Sequence, residues 1–169
     1  MNVHVHNYVS PRQRPLSPEE ARIREVAHAL AKGEDWAIQI AAKEMAKFVP
    51  PNSILVPIPS SQGIKVNNLK LAQAICKLSN CEVLDSITSL PRDSQKSRRH
   101  VGIPGHSEKE IETQLTKPCD TNKNFILIDN VRTTGATINS ALRVLPCASY
   151  LVYAQAQEVL NWYDQSKVS

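Results

Sequence analysis

In the stretch "NFILIDNVRTTGATI" (residues 124–138) an apolar run ends in Asp129 and Asn130, and a string of small, hydroxylated and basic residues follows: Arg132, Thr133, Thr134, Gly135, Ala136 and Thr137. Where such a loop passes from a strand into a helix, its backbone N–H groups and the positive end of the helix dipole converge on one point. A phosphate bound there would also meet the hydroxyls of Thr133, Thr134 and Thr137. Gly135 lets the main chain approach closely, which a side chain would prevent. The acid just ahead of this cradle has a complementary use: the Asp129 carboxylate can accept hydrogen bonds from vicinal ribose hydroxyls while a 5′-phosphate lies in the loop. The bland alternative is a helix cap after a core strand. Neither the GxxxxGK[ST] of a nucleoside-triphosphatase loop nor the GxGxxG of a dinucleotide fold is present.

A site of this kind needs a strand to carry the acid and a helix to end on the anion. Residues 125–128 are apolar without alternation, as a parallel strand covered on both faces requires. "GATINSALRVL" (135–145) reads as the helix, and "SILVPIP" (53–59), "CEVLDSI" (81–87) and "ASYLVYAQA" (148–156) read as further strands, with a helix at "IKVNNLKLAQAICKLS" (64–79). Strand alternating with helix predicts an α/β fold, a doubly wound and mostly parallel sheet flanked by helices. Ahead of it, "SPEEARIREVAHALAKG" (17–33) predicts a helix with Ser17 as N-cap, Pro18 at the first position, Glu20 closing a capping box and Gly33 as the stop. "EDWAIQIAAKEMAKFVPP" (34–51) predicts a second, with Trp36, Ile40 and Met45 on its buried side. Residues 1–16 read as an arm holding at most a short strand. "TSLPRDSQKSRRHVGIPGHSEKE" (88–110) is polar, punctuated by Pro and Gly, and too long for an ordinary connection, so it reads as a lid or a solvated basic loop.

The 169 residues suit one domain, since a chain of this size buries roughly 70% of its unfolded surface. A net charge of +4 and a pI near 8.9 favour anionic ligands, but the basic residues are spread along the chain. Direct nucleic-acid binding rests on that balance and the cluster "QKSRRH" alone. Cys76, Cys81, Cys119 and Cys147 form no CxxC pair and have no His at zinc-finger spacing, which leads us to expect buried free thiols rather than a metal site or disulfide framework. The N-terminus lacks an apolar signal-peptide core and no run of 18 apolar residues occurs, so the expected location is cytoplasmic, with no membrane partner. His4 and His6 would share one face of an extended arm, with accidental metal affinity as their only suggested use.

"ILIDNVRTTGAT" resembles the phosphoribosyl pyrophosphate (PRPP) signature of type I phosphoribosyltransferases, an apolar strand, two acids and a small-residue loop containing Thr-Gly. "LVPIPSSQG" (55–63) is similar to the pyrophosphate-binding loop of that family, and "PRDSQKSRRHVG" (91–102) to its mobile basic loop. Within that family the wording most resembles the ComF-like, competence-associated and amidophosphoribosyltransferase-like branch. The resemblance implies the type I fold, with residues 1–52 as an N-terminal, hood-like segment, 53–156 as the core and 157–169 as a tail. It also implies transfer of ribose 5-phosphate from PRPP to an acceptor, with loss of pyrophosphate and help from Mg²⁺. On this reading Asp129 and Asn130 bind ribose, Asp129 also serving the metal through water or ribose hydroxyls. Thr133, Thr134, Gly135, Ala136 and Thr137 hold the 5′-phosphate. Ser60, Ser61, Gln62, Gly63 and Lys65 hold pyrophosphate, and Arg92, Lys96, Arg98 and Arg99 close over it as catalytic residues, excluding water. His100 or His106 could donate a proton, although a lone loop His is more often simply surface.

Two departures bear on activity. Asn130 stands where most relatives have a second acid; an amide can still bond to hydroxyls, but the charge is lost. Thr133 occupies the place of the acid that acts as base in purine-salvage members, which argues against hypoxanthine or guanine as acceptor. Arg132 either touches pyrophosphate or faces solvent. The acceptor is not legible, though Trp36 and Tyr8 of the N-terminal segment are aromatic, and the apolar face of its helix favours core packing for Trp36. A homodimer is the commonest assembly. The alternative to an enzyme is a catalytically silent PRPP- or nucleotide-binding regulator, or an accessory factor in DNA uptake or processing.

Overall fold

Strand and helix alternate along the chain as the apolar runs require, in a computed structural model that describes residues 2–10, 14–63, 65–93, 110–120 and 122–156. The elements are β1 (Asn2–Tyr8), α1 (Pro18–Lys32), α2 (Asp35–Met45), a 3₁₀ turn (Ala46–Phe48), β2 (Ser53–Pro57), α3 (Val66–Cys76), β3 (Cys81–Val83), β4 (Ile87–Ser89), β5 (Thr113–Leu115), β6 (Phe125–Arg132), α4 (Ala136–Val144) and β7 (Ser149–Ala156). Five strands form a parallel sheet in the order β1-β7-β6-β2-β3.

The alternation of side chains along β2 and β6 divides the core in two. Leu55, Ile126 and Ile128 face α1, α2 and α3, together with Leu151 and Tyr153 of β7. Ile54, Val56, Phe125 and Leu127 face Ile138 and Ala141 of α4. Helices thus cover both faces, and the chain leaves β2 through α3 toward one edge of the sheet but leaves β6 through α4 toward the other. The strand order therefore reverses between β2 and β6, and the crevice beyond their carboxyl ends is where ligands sit in open α/β sheets.

α1 is built as its sequence dictates. Ser17 Oγ accepts from the Glu20 amide, the Glu20 carboxylate accepts from the Ser17 amide, and Gly33 ends the helix at φ 77°. Other expectations need correction. Residues 2–8 are a full edge strand paired with β7 rather than an arm with at most a short strand. Alternating Val3 and Val5 supply one apolar face, and the polar face between them masked the strand. Trp36 is 42% exposed, its indole N–H bonded to Glu34, because Ala37, Ile38, Ala41 and Met45 form the buried face of α2 instead. "CEVLDSI" splits: residues 81–83 join the main sheet, while Ile87 begins a separate antiparallel pair with β5. Cys76 and Cys81 form a disulfide, because the end of α3 and the start of β3 bring their Cα atoms to 5.1 Å. Cys119 and Cys147 are free but half-buried and exposed, so the expectation of four buried thiols fails. Among the described residues no helix is long and apolar enough to cross a membrane.

Candidate functional site

β6 runs four residues beyond the apolar run 125–128, because Val131 and Arg132 remain paired with Ala154 and Gln155 of β7. Its end places Asp129 at the switch point, with Asn130 N–H donating to Asp129 Oδ1 at 2.9 Å. The Val131 N–H in turn donates to Asn130 Oδ1 at 2.7 Å, which occupies that amide oxygen within its own strand. Beyond the strand, Thr133 and Thr134 are exposed and Gly135 takes φ 80° as the N-cap of α4. Gly135 provides no side-chain cap, and only the Ala136 N–H is turned back, to Thr134 Oγ1 at 3.4 Å. The start of α4 thus keeps the anion-attracting character that an uncapped helix has.

Arg132 is half-buried beside β7 and the start of α4. Its guanidinium donates to Gln155 Oε1 at 3.1 Å, lies 5.3 Å from the centre of the Tyr150 ring, and passes against Gly135, where a Cβ would come within 2.8 Å of Nη2. The absent side chain at Gly135 therefore makes room for Arg132 as well as for the left-handed turn.

Across the crevice, residues 60–63 form a tight turn. The Gly63 N–H donates to Ser60 O at 3.0 Å and the Gln62 N–H to Ser60 Oγ at 3.2 Å. Those two amides are engaged within the turn, so the Ser60 and Ser61 amides and hydroxyls are the ones left for an anion. Lys65 is held elsewhere, in an ion pair with Asp85 and by a 2.7 Å bond from Nζ to Ile87 O. It fastens α3 to β4.

Arg92 joins the two sides. Its N–H donates to Ser61 O at 2.7 Å, while its guanidinium reaches Ser89 Oγ at 3.5 Å and Thr137 Oγ1 at 3.4 Å, long contacts that a better acceptor would displace. Partial burial lowers its pKa from the ordinary value, with the charge of Asp129 opposing the shift. Burial in turn pushes the Asp129 carboxyl up to about 6, although Asn68, the Asn130 N–H and Arg92 all pull the other way. An unliganded acid at this pKa is poised to gain from any bound cation or donor that favours its charged form.

The structure thus brings together Ser60, Ser61, Arg92, Asp129, Asn130 and the residues at 133–137, and places Lys65 on Asp85. Lys96, Arg98, Arg99, His100 and His106 lie outside the described residues, as does the 157–169 tail. Asn68 was not expected from sequence: it is buried in the first turn of α3 and donates to both Ile58 O and Asp129 Oδ1. An Asn on an otherwise apolar helix face was the only available signal. His6 has a structural partner, with Nε2 at 2.8 Å from Glu44 and its ring edge-on to Tyr153, and among the described residues no three His, Cys, Asp or Glu side chains converge as a metal cage would need. None of the known protein-family models matches the chain, and no curated protein matches it significantly.

Proposed function

We propose that this chain binds PRPP and, in the manner of type I phosphoribosyltransferases, passes its ribose 5-phosphate unit to an acceptor with release of pyrophosphate. The observation that carries the reading is Arg92, which ties the turn at 60–63 to the start of α4 while standing beside Asp129. A single ligand with phosphate at each end and a diol between them matches that order of groups. The 5′-phosphate takes the uncapped start of α4, the ribose hydroxyls take Asp129 and the Asn130 amide, and the pyrophosphate takes Ser60, Ser61 and Arg92. When the C1–oxygen bond breaks, its electron pair leaves with pyrophosphate and the acceptor's lone pair forms the new bond at C1. Arg92 stabilises the charge that accumulates on the departing oxygens.

Mg²⁺ fits as an ion that arrives with the ligand. One carboxylate and one amide are the protein donors here, and Mg²⁺ characteristically takes one or two carboxylates while substrate phosphates and water fill its other positions. When bound it would neutralise pyrophosphate charge. Asp129 is the residue that would hold it, through water or through the ribose hydroxyls.

A second reading, a PRPP- or nucleotide-binding regulator without catalysis, is favoured by Asn130, whose oxygen is already committed to the Val131 N–H. Calorimetric titration with PRPP, with and without Mg²⁺ and beside Asp129→Ala, tests the shared core of both readings. The expected result is Mg²⁺-dependent micromolar binding that the substitution abolishes. No binding by a folded protein would contradict both. Pyrophosphate release in the presence of candidate acceptors then separates the enzyme from the silent binder.

A further inference from the structure

Asn68 is 9% exposed, and its side chain bridges the ends of the two strands that flank the switch point. Nδ2 donates to Ile58 O at 2.7 Å and to Asp129 Oδ1 at 3.0 Å. A primary amide carries two N–H groups, so one serves each acceptor. The Asp129 oxygen that receives this bond is the same one that receives the Asn130 N–H at 2.9 Å. Both scaffold donors therefore fall on Oδ1, and none of the described protein donors falls on Oδ2.

We propose that Asn68 is the positioning residue of the ribose clamp: it locks the Asp129 carboxylate with Oδ1 toward the scaffold and Oδ2 toward the ligand. The proposal rests on the reading of Asp129 as the ribose-binding acid. Its physical content is orientational. A carboxylate whose terminal torsion is broad can present either oxygen at many angles, whereas one held by two donors on a single oxygen presents the other in a fixed direction. Preorganisation of that kind favours a ligand whose hydroxyls match the direction and gives nothing to a ligand lacking them. The second bond, to Ile58 O, links the same amide to the strand that carries the turn at 60–63, so both halves of the ligand site share one internal brace.

A purely structural Asn68 would stabilise the chain through Ile58 without regard to which sugar is bound. The two roles separate in sugar discrimination. Wild type, Asn68→Ser, Asp129→Asn and the double variant are titrated with ribose 5-phosphate and with 2-deoxyribose 5-phosphate, folding being verified by circular dichroism. Asn68→Gln, which keeps an amide but displaces it by one methylene, is the second variant should Asn68→Ser fail to fold. Wild type should prefer the ribose compound by about tenfold, the worth of one good hydrogen bond to a charged group. Either Asn68 variant should reduce the preference to about twofold, and Asn68→Ser should change it no further once Asp129→Asn is present. If the variant weakens both sugars alike and keeps the wild-type ratio, Asn68 is scaffold alone and the ribose reading of Asp129 stands. If wild type itself binds both sugars equally, or neither, the clamp reading fails and this proposal fails with it.

Discussion

The carboxyl ends of β2 and β6 face one crevice and present different chemistry to it. Past β6, a helix begins almost at once on a glycine that supplies no side-chain cap, so the amides after Ala136 and the dipole stay available to an anion. Past β2, the Gln62 and Gly63 amides fold back on Ser60, and the positive charge comes from Arg92, a side chain with long and replaceable contacts. Fixed backbone donors suit a group that stays bound throughout, and a side-chain cation suits a group that must leave. On the proposed reading, that difference fits a retained 5′-phosphate at the β6 end and a departing pyrophosphate at the β2 end.

The two glycines offer the largest test of that contrast. Both hold positive φ, 73° at Gly63 and 80° at Gly135, and at each an added Cβ would meet an atom at 2.8 Å. At Gly63 the obstacle is the backbone oxygen of Ser89; at Gly135 it is the far end of Arg132. Side chains yield where backbone does not, so Gly63→Ala should cost about 3 kcal/mol and Gly135→Ala about 1–2 kcal/mol in urea unfolding. Equal costs would mean that Arg132 is as rigidly fixed as the main chain.

Asp129 gives the next effect. Its carboxyl has an ordinary value of 3.8 and titrates at about 6 in the folded chain, so the folded state holds the extra proton between those limits. Stability of the unliganded protein should therefore fall as pH rises from about 4 to about 6 and remain lower above that. Asp129→Asn removes the ionisation, and should raise stability at pH 7.5 by about 2 kcal/mol while flattening the acid side of the profile. Thermal melts across pH 3.5–8 check the sign, at roughly 2–4 °C per kcal/mol for a chain of this size. A lower melting temperature for the variant at pH 7.5 would show that the site is better solvated than its burial implies.

The smallest effect concerns Asn130. A carboxylate at this position supplies a charged acceptor, and Asn130→Asp should tighten PRPP binding several-fold, on the order of 1 kcal/mol. Equal or weaker affinity would remove position 130 from the ribose clamp.

What was legible in the sequence follows from where the determining interactions lie. The α1 caps are made within a few residues, and Ser17, Pro18, Glu20 and Gly33 gave them away. The uninterrupted apolar run 125–128 likewise reported a strand covered on both faces. Edge strand β1 is hard to read in the sequence because only one of its faces packs, and the exposure of Trp36 because helical spacing does not say how far an apolar face extends. The site's internal connections were out of reach: Asn68 and Asp129 are 61 positions apart and Arg92 and Thr137 are 45 apart. Such pairs exist only once the crossovers have set α3 beside β6 and the segment after β4 beside the start of α4. The Cys76–Cys81 bond escaped for a related reason, since its spacing matches no motif and depends on the turn from α3 into β3.

The central claim, that the two strand ends hold opposite ends of one ligand, is tested most directly by amide chemical-shift mapping with the two halves supplied separately. Ribose 5-phosphate should perturb the amides at 133–137 and Asp129, while Mg²⁺-pyrophosphate should perturb Ser60, Ser61 and Arg92 and leave the first set nearly unmoved. Perturbation of one common set by both ligands, or of amides away from the switch point, would contradict the account.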